Sequence, residues 1–336
     1  MATTVSSAFT QFMSDYVNLD KDTVATARNS RDWLISQLNR LSDTPDNGFP
    51  IFYKEKHLGF GSFSRSTKKR ELDDIDHLLC MKACQCWYSE YGSKIYINVP
   101  DAAGKPFTDL THDDGSKFLN STKVINCFVK SMKNIPQYKN SEKHARSGEA
   151  ATLKLTSYSW NFDIIPCFFT TEDTYGRTFY IIPDGNGHWK KTDPRIDRDK
   201  ATAINQKNDG KILAIIRAMK YWNKRPTMRS MSSYLLENII LDYYSLNTAG
   251  NYIDLEIKKM LNHMIEAVYM PVDDPKGIQG NINTLNFDEA LSISNRAKRD
   301  RDTAEEAIAL EFTNPKKSID KWREVFGNEF PEYTGS

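Results

Sequence analysis

A glycine-serine turn followed by an acidic strand is the feature that most restricts how this chain can fold. Gly61-Ser62 precedes a short polar stretch, and Asp74-Ile75-Asp76 then leads into an apolar run. Successive side chains of a strand point to opposite faces, so Asp74 and Asp76 share one face while Ile75 points to the other. The sequence therefore predicts a turn, a short helix and a partly buried strand in close succession.

The residue types of this stretch indicate a phosphate and metal site. Two carboxylates on one strand face repel each other unless a cation lies between them, and hard oxygen ligands suit Mg²⁺ or Mn²⁺. Gly61 lets the backbone approach a phosphate without a Cβ, and the Ser62 hydroxyl and the N–H groups that follow can hold phosphate oxygens. An Asp-x-Asp pair alone is more often a solvated turn, but the glycine-serine turn at this spacing favours the functional interpretation.

Hydrophobic periodicity outlines the remaining elements. Helices are expected near 22–42 and 115–133, with an irregular stretch over 82–114 between them. Strands are expected near 152–158, 160–169 and 177–183. The later part of the chain is almost wholly helical, with helices over 197–224, 231–246, 252–269, 286–312 and 316–326. A helix between groups of strands predicts an α+β fold with a mixed central sheet.

Composition limits the class of protein. The 336 residues are 39% hydrophobic and 26% charged with a net charge of +1, so a substantial core is expected and a long nucleic-acid partner is not required. Five cysteines form no even framework, and we find no leader or long apolar run, which together predict a cytoplasmic protein without membrane contact. His77 with Cys80, Cys84 and Cys86 resembles a zinc set, but the spacing favours packing of small apolar side chains.

Gly61-Ser62 with Asp74-Ile75-Asp76 resembles the nucleotidyltransferase motif of the polymerase-beta-like superfamily. That motif requires a third carboxylate. Asp163 is the best candidate because it lies in an apolar strand, where an unpaired buried carboxylate would be costly. The alternative is a charge at a strand end.

Three residues of the helical part each have an ordinary interpretation beside a functional one. Lys220 could neutralise a triphosphate, although residue type alone favours a lysine on the helix surface. A serine of the pair Ser232-Ser233 could simply cap a helix or could also bind phosphate. Tyr234 could stack on a nucleobase or pack between helices.

Taken together, these residues resemble the cyclic-oligonucleotide synthases, the bacterial relatives of animal cyclic GMP-AMP synthase and oligoadenylate synthase. The resemblance implies that Asp74, Asp76 and Asp163 are catalytic and bind two Mg²⁺ or Mn²⁺ ions. It also implies that nucleotide is bound by the residues Gly61, Ser62, Lys220, Ser233 and Tyr234. The expected fold is bilobed, with a catalytic lobe over 1–196 that includes an N-terminal spine helix. A helical lobe over 197–336 is expected to complete the nucleotide cleft.

The resemblance implies attack of one ribose hydroxyl on the α-phosphorus of a second NTP, release of pyrophosphate and closure to a cyclic di- or trinucleotide. The substrates would be NTPs, namely ATP, with GTP or a pyrimidine NTP as further candidates, and the product would signal to a downstream effector in antiphage defence. Neither a zinc insertion nor a strongly basic surface is present, so no obligatory DNA or RNA activator is expected. The alternatives are a template-independent RNA or acceptor nucleotidyltransferase and a catalytically silent nucleotide-binding module.

Overall fold

The computed structural model describes residues 1–44, 48–92, 94–226 and 229–335, which form two compact units. The sheet unit consists of Lys21–Ser64 and Leu72–Arg195. The helical unit consists of Met1–Asp20, Arg65–Glu71 and the chain from Ile196 onward. Within the described ranges, no helix is both long enough and apolar enough to cross a membrane.

The described part of the sheet unit contains nine strands, which are β1 Leu58–Phe60, β2 Asp74–Cys80, β3 Trp87–Tyr91, β4 Lys94–Asn98, β5 Lys143–Ser147, β6 Ala150–Lys154, β7 Asn161–Phe169, β8 Tyr180–Pro183 and β9 Trp189–Thr192. They run in the order β1-β2-β7-β8-β9-β4-β3, with β6 beside β7 and β5 beside β6. The β2–β7 pair is parallel, whereas the other pairs are antiparallel.

Helices of the sheet unit are α2 Lys21–Asp43, the single turn α3 Gly61–Ser64 and α4 Ser121–Lys133. Asn120 caps α4 by accepting the Lys123 N–H, which satisfies one of the free donors at its start. Val124, Ile125 and Phe128 of this helix are fully buried, as expected for an amphipathic helix packed on a sheet.

The helical unit is built from α1 Val5–Phe12, α5 Pro194–Lys207, α6 Ile212–Asn223, α7 Ser233–Leu246, α8 Ile253–Ala267, α9 Phe287–Leu310 and α10 Pro315–Phe326. Its core is continuous and includes an aromatic cluster that joins the two ends of the chain. Phe9 of α1 lies edge-on to Trp322 and Phe330, with ring centroids 4.9 Å from each. Such edge-to-face pairs add to the burial of apolar area, so they attach α1 to α10.

The predicted α+β class with a mixed sheet is confirmed, and most predicted elements are present. The helix predicted over 197–224 is instead two helices, because Asp209 and Gly210 adopt positive φ and end α5. The stretch predicted as irregular over 82–114 contains the hairpin of β3 and β4. Helix α1 was not predicted.

The predicted boundary between lobes lies within one residue of the division at Arg195 and Ile196. The lobe predicted over 1–196 does not have the same bounds as the sheet unit, however. Met1–Asp20 and Arg65–Glu71 belong to the helical unit. These segments are held there by partners that are distant in sequence, which a reading along the chain does not reveal.

Candidate active site

The acidic residues of the sheet unit lie on two adjacent parallel strands. Asp76 of β2 is directly opposite Asp163 of β7, and Asp74 is opposite Asn161. Residues paired in this way point to the same face of a sheet, and so do residues two apart on one strand. Asp74, Asp76 and Asp163 therefore share one face, although Asp76 and Asp163 are 87 positions apart in the sequence.

The environment of Asp163 shifts the pKa of its carboxyl group. Its pKa is raised, first by burial and then by the negative charge of Asp74, while a hydrogen bond from Thr152 opposes the shift. Thr152 is the register partner of Asp163 on β6 and donates its hydroxyl to Oδ1 at 2.6 Å. Asp74 and Asp163 are thus close enough to repel each other, and a cation bound on this face would relieve that repulsion.

The glycine-serine turn packs directly against the acidic strand. Gly61 has a φ of +72°, and a Cβ built on it would lie only 1.9 Å from Oδ2 of Asp76. Ser62 follows in the single-turn helix α3, and Ser64 donates its hydroxyl to the Gly59 carbonyl at 2.9 Å. Position 61 therefore requires glycine for its backbone conformation and for its close approach to Asp76.

Among the described residues, no group of three or more His, Cys, Asp or Glu side chains is arranged to hold a metal ion. The aspartates share a face without forming such a group. Cys80 is fully buried opposite Cys167, where both side chains pack in an apolar cluster with Leu78 and Ile165.

Lys220 does not lie on the helix surface as its residue type alone suggested. It is buried within the helical unit, where Nζ donates to Oε2 of Glu237 at 2.6 Å. The same ammonium lies 3.2 Å from both the carbonyl and the hydroxyl oxygen of Thr67. These three contacts use the three N–H donors of the lysine, so a phosphate could bind it only by replacing one of them.

Ser233 and Tyr234 begin helix α7. Ser232 is the capping serine of the pair, because its hydroxyl accepts a hydrogen bond from the Tyr234 N–H. The Tyr234 hydroxyl donates to Asp197 at 2.7 Å, and the Lys276 ammonium lies 4.5 Å from the centre of its ring. The orientation of Tyr234 is thus fixed at the hydroxyl and at one face of the ring.

Sequence reasoning missed the residues that support these positions. Thr152 lies in a strand that was predicted, but only the register shows that it contacts Asp163. Glu237 follows Ser233 by one helical turn, and nothing local marks it as the partner of a residue 170 positions earlier. Asp197 and Lys276 likewise meet Tyr234 only in the folded helical unit.

Known proteins resemble this chain along its whole length, although no family model matches it. A probable cyclic nucleotide synthase of Bacillus cereus (strain VD146) is 45% identical over 335 residues, 99% of each chain. The structure of CdnC from E. coli MS115-1 with ATP superposes with a TM-score of 0.69 at 17% identity, covering 97% of this chain and 98% of CdnC.

The GTP-bound form of Vibrio cholerae DncV also superposes with a TM-score of 0.69, at 12% identity, covering 98% of this chain and 97% of DncV. At such low identity, these structures show that the fold is shared. The full-length similarity to the Bacillus cereus protein goes further than a shared fold. This chain belongs to the cyclic nucleotide synthases, the nucleotidyltransferases that make cyclic oligonucleotides.

Proposed function

We propose that this nucleotidyltransferase joins NTPs into a cyclic di- or trinucleotide, releases pyrophosphate and depends on divalent metal ions. The observation that carries the metal dependence is the shared face of Asp74, Asp76 and Asp163 beside the Gly61 turn. ATP and GTP as substrates are supported by the solved complexes of CdnC with ATP and DncV with GTP. We further propose that the product signals to an effector in antiphage defence.

The aspartates suit a divalent cation in their chemistry, and they share one face of the sheet. They are hard oxygen ligands, and the pKa of Asp163 is raised mainly by burial and further by the negative charge of Asp74. When bound, Mg²⁺ or Mn²⁺ would supply charge stabilisation at the reacting phosphate and lower the pKa of the attacking hydroxyl. Asp74, Asp76 and Asp163 would hold the ions, and Thr152 would orient Asp163.

Nucleotide binding is proposed for residues of both units. In the sheet unit, Gly61 allows close approach of the backbone and Ser62 offers a hydroxyl to a phosphate. In the helical unit, Lys220 and Ser233 are proposed to bind triphosphate and Tyr234 to stack on a base. Support for Tyr234 comes from its fixed orientation, because an aromatic ring held in place loses little entropy on stacking.

The test is to incubate the purified protein with the four NTPs and Mg²⁺ or Mn²⁺, and to identify phosphatase-resistant products by mass spectrometry. We expect a cyclic product from the wild type and from the control variant Asp320→Asn, which makes the same substitution at an exposed aspartate. Asp76→Asn and Asp163→Asn should abolish it. Open-chain products would instead indicate the template-independent transferase, and unchanged NTPs with the wild type would indicate a silent nucleotide-binding module.

A further inference from the structure

The segment Arg65–Glu71 connects the glycine-serine turn to the acidic strand, yet it belongs to the helical unit. The chain enters that unit immediately after α3, which begins at Gly61, and leaves it just before β2. Whatever holds this segment therefore acts on the stretch of chain that joins two parts of the proposed active site.

One buried carboxylate binds the segment to helices α6 and α7. Glu237 accepts Nε of Arg65 at 2.7 Å and the Thr67 hydroxyl at 2.9 Å. The same carboxylate accepts the Lys220 ammonium at 2.6 Å, and its side chain is only 2% exposed. A single glutamate thus connects two residues of the segment with the lysine of α6.

The charges make this connection strong. Burial alone would raise the pKa of Glu237, but the neighbouring Lys220 and Arg65 outweigh burial and lower it to about 2. The carboxylate therefore stays ionised at neutral pH and neutralises part of the charge of two buried cations. Removing it would leave both cations without that counter-charge in a site with little access to water, which is costly.

Other contacts hold the same segment along its length. Arg217 donates Nη1 to the Ser66 carbonyl at 2.6 Å, and the Arg70 N–H donates to the Val17 carbonyl at 2.8 Å. Glu237 contributes more than these single contacts because one carboxylate accepts hydrogen bonds from Arg65, Thr67 and Lys220 together.

We propose that Glu237 is a positioning residue for nucleotidyl transfer, which acts through Arg65 and Thr67 by fixing the segment between the phosphate turn and the acidic strand. It binds no substrate itself. The inference rests on the proposed function, since it assigns catalytic importance to the two structures that the segment joins.

The test compares Glu237→Gln with Glu256→Gln. Glu256 is an equally buried carboxylate in the same unit, 2% exposed, and it accepts from Tyr244 at 2.6 Å, Lys259 at 2.6 Å and the Gly250 N–H at 2.9 Å. Both variants should lose stability. Only Glu237→Gln should lower kcat at least tenfold at a temperature where circular dichroism shows both variants folded.

Hydrogen–deuterium exchange of a peptide covering residues 61–74 gives a second measurement that does not need activity. We expect faster exchange in Glu237→Gln than in Glu256→Gln. Thr67→Val removes a hydroxyl from the network and leaves the charges of Glu237 and Lys220 paired. It should therefore also lower kcat and speed exchange, and it can be measured even if Glu237→Gln does not fold.

The outcomes separate this inference from the proposed function. If the wild type is active but kcat and exchange are the same in Glu237→Gln and Glu256→Gln, or if exchange rises while kcat does not fall, the positioning role is refuted. If the wild type makes no cyclic product, the proposed function fails. Unchanged exchange in Glu237→Gln would then also refute the claim that Glu237 anchors the segment. Faster exchange would support that claim.

Discussion

Replacing Gly61 with alanine should disable the enzyme while costing little stability. The added Cβ would lie 1.9 Å from Oδ2 of Asp76, whereas such contacts are essentially never shorter than 3.0 Å. The turn or the carboxylate must therefore shift by at least about 1.1 Å, the difference between those two distances. Asp76 is a proposed metal ligand, so the shift would displace a carboxylate, or the turn beside it, at the proposed metal site.

Two effects of different size follow from this substitution. The left-handed backbone conformation costs an alanine about 1–2 kcal/mol of stability. A misplacement of about 1 Å at a reacting site can lower the rate by about 100-fold. We therefore expect a modest loss of stability and a loss of kcat on the order of 100-fold.

Gly176→Ala provides the matched control, because Gly176 has the same φ of +72° but no atom within 4 Å of its ideal Cβ. Urea denaturation measures the stability of both variants, and steady-state formation of cyclic product measures kcat. Both should be destabilised by a similar amount, and only Gly61→Ala should lose activity. Activity in Gly61→Ala equal to that of Gly176→Ala would refute the close contact between the turn and Asp76.

Three further predictions follow from single contacts. Thr152→Val removes the 2.6 Å hydrogen bond to Asp163. Because residues that orient metal ligands affect metal affinity, it should raise the Mg²⁺ concentration for half-maximal activity by about 10–100-fold. An unchanged Mg²⁺ titration would contradict this. Glu237 has a pKa of about 2 in the folded protein, against an ordinary pKa of 4.5. Its ionisation therefore stabilises the folded protein by about 3 kcal/mol above pH 4.5, and this contribution is lost as the pH falls through 2. Urea denaturation should therefore show the stability gap between the wild type and Glu237→Gln narrowing from pH 5 to pH 3, and a constant gap would argue against the ion pairs. Tyr234→Ala should raise the KM for ATP by about 5–150-fold, because it loses a base stack of about 1–3 kcal/mol. Tyr234→Phe should raise it less, because the ring remains and only the hydroxyl contacts with Asp197, Asp274 and Lys276 are lost; equal effects in steady-state kinetics would exclude stacking.

The local elements of this protein can be predicted from its sequence because their signals are local. Apolar residues recur with helical spacing in α4, and the structure confirms that Val124, Ile125 and Phe128 are buried there. A glycine is required where φ is positive at the start of α3, and Asp74 and Asp76 share a face because a strand alternates. None of these features depends on residues far away in the chain.

What only the tertiary structure decides is which distant residues meet. The parallel register of β2 and β7 places Asp163 opposite Asp76, and the sequence contains no signal for a register between strands so far apart. Burial of Lys220 depends on Glu237, which supplies an opposite charge, and on Thr67, which supplies hydrogen-bond acceptors. The sequence around Lys220 does not reveal either partner. The physical reason is that both arrangements depend on long-range packing: the register of two strands is set when the sheet assembles, and a buried charge is stable only beside partners that folding brings to it.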